Sequence, residues 1–435
     1  MAMVVKNNMS AISTLNTLNK NSSALTKSLA KVSSGMKINS AQDDASGYAI
    51  SERMRVQIRS LDQANQNTQN GSSMMKTAEG AVSSTVEILK TLKEKVINAA
   101  NDTNTDADRQ TIQKELDQSI DQIDDNANVT YNGKYLVDGS KNTIGSATQA
   151  SFTNQALAET TKTSTNLTEL NRRAGDSLEI VSTDSVSVSF TKGGKTYTTS
   201  FKVGTDSTLQ TIETKLNDLG AGVKLTGETS NIGVDSGGNA VNTASGENAL
   251  TFATNSAGIT GAVNGITIRI TDSQGNVKKS ANAALDAFDQ SIFAENASSD
   301  NALTLQVGAK ANQSIKVGLK DMRSEALGLK GADGTKLNIS TQEKANAAIA
   351  VLDNAVSKAL DQQTTIGSIE SRLEYTSSNL TTASENVQAS ESTIRDADMA
   401  KEMTNYTKNN VLLQAAQSML AQANQNSSSV LSLLQ

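Results

Sequence analysis

The chain has no cysteine, histidine, proline or tryptophan among its 435 residues, and aromatic residues make up only 3% of it. Without Cys and His there is no thiol nucleophile, imidazole base, disulfide or zinc site of the usual ligands. No catalytic, cofactor-binding or metal-binding residues are expected, and the chain does not read as an enzyme. A cysteine-free chain does not report its redox compartment, although it tolerates oxidising surroundings. The missing proline removes the strongest helix breaker and suits long uninterrupted helices. With apolar residues at 36%, a thick globular core throughout is not expected. The net charge of −6 supplies no basic face for nucleic acid. No run of about 18 apolar residues occurs, so no membrane-spanning helix is expected. Residues 1–8 show no basic region followed by an apolar run, so no secretory signal peptide is expected.

What is present is heptad periodicity at both ends of a chain long enough for about three domains. From Ala11 the apolar positions fall at Ala11, Leu15, Leu18, (Ser22), Leu25, Leu29, Val32 and Met36, the alternating spacing of a coiled-coil seam. The pattern pauses at Ser33-Ser34-Gly35 and again over residues 39–44. It resumes in strict sevens at Met54, Leu61, Thr68, Met75, Val82, Leu89 and Val96. Ser40 with Asp43 and Asp44 has the form of a capping box. The spacing therefore predicts a first helix over residues 5–35 and a second over 43–100, the latter about 80 to 90 Å long. Gly71 and Gly80 weaken the second by about 1 kcal/mol each against Ala. A third helix carries Ile112, Leu116, Ile120 and Ile123 on one face, and residues 131–139 read as a hairpin.

Composition shifts near Ser140, and to about Asp300 the period is two, in a stretch rich in Ser, Thr, Gly and Asn. Leu178, Ile180, Val186, Val188 and Phe190 precede Gly193-Gly194, and Tyr197, Phe201 and Val203 follow, a strand pair with a tight turn. Ile266, Ile268 and Ile270 mark another strand, and residues 208–216 a short helix. The stretch reads as a separate α+β domain. Leu303, Leu305 and Val307, then Ile315, Val317 and Leu319, predict a further hairpin. From Ser340 the sevens return at Leu352, Ala359, Ile366, Leu373, Leu380, Val387 and Ile394. They then shift phase to Met399, Tyr406, Leu413, Leu420, (Ser427) and Leu434, which marks a joint between helices.

The expected fold is mainly α with an inserted α+β domain. The two chain ends form a long antiparallel helical coiled-coil or bundle core, with β-hairpins and a β-rich outer domain. The terminal stripes have two readings, an intramolecular two-helix coiled coil or seams completed by neighbouring subunits. A pair about 45 Å long, with Ser, Asn and Gln at its flanks and apolar Val4, Val5, Val430, Leu431, Leu433 and Leu434 at its extreme ends, is thin for independent stability. The carboxylate pairs Asp43-Asp44 and Asp124-Asp125 read as helix-end residues. Lys90, Lys93 and Lys95 read as a solvated face with i, i+4 pairs.

The stretch Val32-Ser33-Ser34-Gly35-Met36-Lys37-Ile38-Asn39-Ser40-Ala41-Gln42-Asp43-Asp44-Ala45-Ser46-Gly47-Tyr48-Ala49-Ile50 resembles the signature of bacterial flagellins. The ending Met419-Leu420-Ala421-Gln422-Ala423-Asn424-Gln425 with Val430-Leu431-Ser432-Leu433-Leu434 resembles the flagellin C-terminus. Ala78-Glu79-Gly80-Ala81, Tyr131-Asn132-Gly133 and Gln306-Val307-Gly308-Ala309 match as well. The resemblance covers residues 1–140 and 300–435 and leaves the middle unplaced.

The resemblance implies an inner terminal-helix domain of residues 1–43 and 394–435, a helical rod domain of 44–140 and 300–393, and an outer variable domain of 141–299. It implies a homopolymer, many copies of the chain forming a filament. Assembly would be carried by Leu15, Leu18, Leu25, Leu29, Val32, Met403, Tyr406, Leu413, Leu420, Leu431 and Leu434. It further implies secretion through the flagellar export apparatus to an extracellular filament and an export chaperone on the C-terminal helix. Filament cap and hook-junction proteins are implied as neighbours. The family is also sensed by a Toll-like innate immune receptor through an Arg and a Leu four residues apart and a Glu on the next helix. Those places fall on Thr91, Lys95 and Glu115 here; two of the three depart from the pattern, so weakened recognition is expected. The alternatives are a minor filament or junction subunit, and a secreted adhesin or effector with a helical stalk.

Overall fold

A computed structural model of the chain describes residues 8 to 432, without the side chains of 427 and 430–432. Val4, Val5, Leu433 and Leu434 therefore lie outside the described residues, as do the side chains of Val430 and Leu431. The helices are α1 (Met9–Ser34), α2 (Ala45–Ala99), α3 (Asp106–Ala127), α4 (Leu209–Asp218), α5 (Lys279–Leu285), α6 (Gln342–Arg395) and α7 (Met399–Ser432). The strands are β1 (Thr130–Tyr131), β2 (Lys134–Tyr135), β3 (Ser151–Asn154), β4 (Ser185–Lys192), β5 (Lys195–Lys202), β6 (Val223–Thr229), β7 (Asn231–Val234), β8 (Ala240–Asn242), β9 (Ala249–Thr254), β10 (Val263–Thr271), β11 (Phe288–Ile292), β12 (Leu303–Gln306) and β13 (Ser314–Val317). This is the mainly helical chain with an inserted α+β region that the periodicities predict.

The chain divides into two compact units, one of residues 1–67, 307–313 and 375–435, the other of 68–306 and 314–374. In the second unit, the predicted column of α2 is buried at Thr68, Met75, Val82, Leu89 and Val96. A second buried column runs three residues later through Gly71, Ala78, Thr85, Leu92 and Ala99. Its small residues escape a reading based on hydrophobicity, yet they let neighbours approach closely. A Cβ added at Gly71 would lie 2.8 Å from Leu305 Cδ1 on β12, so a larger residue here requires the leucine side chain to shift. Gly80 has nothing within 4 Å of such a Cβ. On α6, Leu352, Ala359, Ile366 and Leu373 are buried as the sevens require.

The C-terminal end of α2 is closed by Arg109 of α3. Its guanidinium donates to the carbonyls of Ala99 at 2.9 Å and Asn101 at 3.0 Å, satisfying acceptors that the helix end leaves orphaned. Thr105 and Asp108 form the capping box of α3. Asp124 accepts the Ser324 amide at 2.8 Å and the Lys330 amine at 3.3 Å, which confirms a structural role for that carboxylate. The Lys90 cluster differs from the i, i+4 expectation. Lys90 pairs with Glu87 three residues earlier, Lys93 with Asp353 on α6, and Lys95 with Glu115 on α3. Helices adjacent in space offered partners that sequence spacing alone does not reveal.

The inserted region packs two antiparallel sheets, ordered β10-β4-β5 and β11-β3-β9-β6, around one core containing Phe152, Phe190, Phe252, Ile212 and Leu216. Val186, Val188 and Phe190 sit opposite Ile270, Ile268 and Ile266. The β4–β5 turn places Gly193 and Gly194 at φ 55° and 75°, the left-handed pair that a two-residue hairpin demands. Strand β10 is an edge. Its Ile268 and Ile270 amides are bonded by the Asp286 and Asn282 side chains at 3.1 and 2.7 Å, which blunts the edge against pairing with another chain. Strands β7 and β8 form a small ribbon, and β12 and β13 the predicted hairpin.

Candidate assembly surface

The terminal pair belongs to the first unit. Helix α1 starts at an Asn8 cap, whose side chain accepts the Ala11 amide at 3.0 Å, and stops at Gly35, φ 70°, whose amide returns to Lys31 O. Helix α7 runs antiparallel to it. Asn8 donates to Ala423 O at 3.2 Å, Asn21 to Leu412 O at 3.2 Å, and Asn409 to Ser28 Oγ at 3.1 Å. The facing residues of α7 include half-buried Tyr406, Leu413 and Leu420 with buried Ala416, in agreement with the predicted column.

On α1 the seam needs correction. The residues turned inward are Ala11, Thr14, Leu18, Asn21, Leu25, Ser28 and Val32. Two patterns share the anchors Ala11, Leu18, Leu25 and Val32, and both obey the alternating spacing. They differ in whether Leu15, Ser22 and Leu29 or Thr14, Asn21 and Ser28 fill the intervening places. Neighbouring residues are about 100° apart on a helix, so only one set can face the partner. The structure turns the polar set inward. Leu15 stays 45% exposed and Leu29 50%. Met9 and Ile12 on α1 are exposed too, as are Met399, Met403, Leu412 and Met419 on α7.

The break after α1 is a built joint. Asp43 Oδ2 accepts the Asn39 and Ser40 amides at 3.1 and 3.2 Å. Partial burial raises the Asp43 pKa, but these hydrogen bonds outweigh it and hold the carboxyl below its ordinary value. The cap of α2 itself is Asp44, bonded to the Ser46 and Gly47 amides at 3.0 Å, so the helix starts at Ala45, two residues after the expected start at 43. The phase shift before Met399 is the matching break. Lys37 N bonds Arg395 O at 2.7 Å, and Ala397 N bonds Gly35 O at 2.9 Å. The buried Arg395 guanidinium bonds Glu52 at 2.6 Å and lies over the Tyr48 ring, 5.4 Å from its centroid. The Arg395 hydrogen bond holds the Glu52 carboxyl below its usual pKa. No spacing pattern links these residues; the fold alone assembles them.

Beside the joint, α2 and α6 share a small apolar cluster of Leu61, Ala64 and Leu380, flanked by the Arg55–Glu391 ion pair at 2.9 Å. In the other unit, Lys95 Nζ lies 3.1 Å from Glu115, and Thr91 is exposed one turn before Lys95. Among the described residues no helix is long and apolar enough to cross a membrane.

Paired terminal helices with a half-polar seam and an uncovered apolar stripe fit a structural subunit that buries the stripe against other protein surfaces. A family model of the bacterial flagellin N-terminal helical region matches residues 5–142, and one of the C-terminal helical region matches residues 349–434. A flagellin of Clostridium tyrobutyricum is 35% identical over 97% of this chain and 99% of its own. A flagellin of Bacillus subtilis is 31% identical over 99% and 100%. Among solved structures, a flagellar hook-associated protein-3 of Legionella pneumophila is 15% identical over 78% of this chain and 97% of its own. Its TM-score of 0.32 is too low to weigh between filament and junction roles. The chain belongs to the bacterial flagellin family, and it serves as a structural subunit of the flagellar filament that gives motility.

Proposed function

We propose that the outward residues Leu15 and Leu29 of α1 and Met403 of α7 are contacts between subunits, whereas Leu18, Leu25, Val32, Tyr406, Leu413 and Leu420 hold the terminal pair within a subunit. The observation that carries this reading is the α1 seam at its intervening places, where Thr14, Asn21 and Ser28 turn inward and Leu15 and Leu29 stay outside. The absence of Cys from the chain offers a direct test. A Leu29→Cys variant reacts with maleimide as a monomer and is protected in filaments. A Val234→Cys variant in the inserted region reacts in both states. Equal labelling of Leu29→Cys in both states refutes the assignment.

The same reading gives the chain its remaining partners. It is exported by the flagellar apparatus, its C-terminal helix is held by a chaperone until assembly, and its filament adjoins cap and hook-junction proteins outside the cell. Residues 1–43 with 394–435 form the inner layer, 44–140 with 300–393 the rod, and 141–299 the outer face. Its role is structural, with no catalysis. Recognition by the Toll-like receptor is weakened, because Thr91 and Lys95 replace the sensed pair. The Lys95–Glu115 ion pair supports this, since it engages the one matching residue. A reporter-cell dose response equal to that of a flagellin carrying Arg and Leu there overturns it.

A further inference from the structure

Lys358 of α6 is the lysine that the fold buries among the described residues. Its Nζ donates to Ala326 O at 2.8 Å and forms no ion pair among the described residues. The amine lines a cavity of about 390 Å³ together with Lys320, Arg323, Glu295, Asp321 and Asp138. The carboxylates of that cavity are engaged elsewhere. Glu295 is 3.1 Å from Lys320 Nζ, Asp321 is 2.6 Å from Arg323 Nη2, and Asp138 accepts the Ser140 hydroxyl at 2.6 Å. Lys320 is held charged by Glu295 and by Asp361 at 3.2 Å. A desolvated amine without its own counter-ion and near a second cation is the arrangement that yields a nucleophilic lysine.

We infer that Lys358 is a modification site, an internal amine that condenses with small aldehydes entering this cavity to form a reversible imine. The nitrogen lone pair attacks the carbonyl carbon, and a proton passes from nitrogen to the former carbonyl oxygen, giving a carbinolamine. Loss of water then breaks the carbon–oxygen bond and forms the carbon–nitrogen double bond, with no change of oxidation state overall. Burial, helped by the charge of Lys320 and opposed by Glu295 and Asp321, pushes the Lys358 amine down to about 8. A usable share of it is therefore neutral near pH 7, where exposed lysines are almost wholly protonated. Lys320 acts as a positioning residue by keeping a fixed positive charge nearby.

The test is reductive alkylation of the intact folded chain with limiting acetaldehyde and cyanoborohydride, which delivers hydride to the imine carbon and traps it. Peptide mapping by mass spectrometry is expected to find ethyl-Lys358 at least tenfold enriched over an exposed residue such as Lys90. The Lys358 rate should be half-maximal near pH 8, and the enrichment should vanish in denaturant. In Lys320→Gln the half-maximal pH of Lys358 labelling rises. The inference is overturned if Lys358 in the folded chain is labelled no faster than Lys90, whether because the amine is charged or because aldehyde does not reach it. It is equally overturned if the enrichment persists in the unfolded chain.

Discussion

Replacing Leu15 and Leu29 together by Ser separates pairing within a subunit from assembly between subunits. About half of each side chain remains exposed beside α7, 45% and 50% respectively. Full burial of a leucine is worth about 2 kcal/mol, so each retains about 1 kcal/mol that only a neighbouring copy can supply. The double variant therefore loses about 2 kcal/mol per subunit on assembly, a rise of about 30-fold in critical concentration. The assay is seeded polymerisation followed by sedimentation, with circular dichroism of the monomer alongside. Helix content should stay close to that of the parent, because the seam residues Leu18, Leu25 and Val32 are untouched. An unchanged critical concentration refutes the reasoning. So does a monomer that loses the helical signal of both terminal helices, since assembly would then fail for want of α1 itself. Leu18→Asp or Leu420→Asp should do what the outer pair does not, breaking the pair in the monomer as well as preventing filaments while the inserted region stays folded.

Two glycines of α2 should respond to Ala in opposite senses. Gly80→Ala meets nothing within 4 Å and should stabilise the monomer by about 1 kcal/mol in thermal unfolding, whereas Gly71→Ala drives its Cβ against Leu305 and should give no gain or a loss. The Glu52–Arg395 contact sets an acid dependence of the joint. The Glu52 pKa is lowered in the folded chain, so its contribution is present above the ordinary value of 4.5 and lost as pH falls through the folded value. Glu52→Gln should therefore flatten the acid loss of stability seen by denaturant titration over that range; an unaltered profile counts against the latch.

The heptads, the Gly-Gly turn and the alternating isoleucines were legible because each is a local pattern enforced by backbone geometry. Even the middle domain's short helix could be read from Leu209, Ile212 and Leu216, all three of which are buried. The second column of α2 was harder, since Gly71, Ala78, Thr85 and Ala99 are small or polar and give only a weak apolar signal beside the first column. The cap of α2 at Asp44, rather than Ser40, was likewise invisible, because several Ser and Asp residues in a row satisfy the same motif.

The chain's amino-acid order by itself determined that two heptad-bearing ends would flank a β-rich insert, and that Cys- and His-based chemistry was closed to it. A residue's period along a helix depends on nothing beyond the backbone, so it survives in any context. Tertiary structure alone decided which face of α1 meets α7. Two sets of residues one position apart fit the same spacing, and the choice between Thr14, Asn21 and Ser28 or Leu15, Ser22 and Leu29 rests on contacts with a helix some four hundred residues away, such as the Asn409–Ser28 hydrogen bond across 381 positions. It also decided the joint, where Arg395 reaches Tyr48 and Glu52 only because both chain ends return to one place. Long-range packing sets these choices, and no local pattern encodes it.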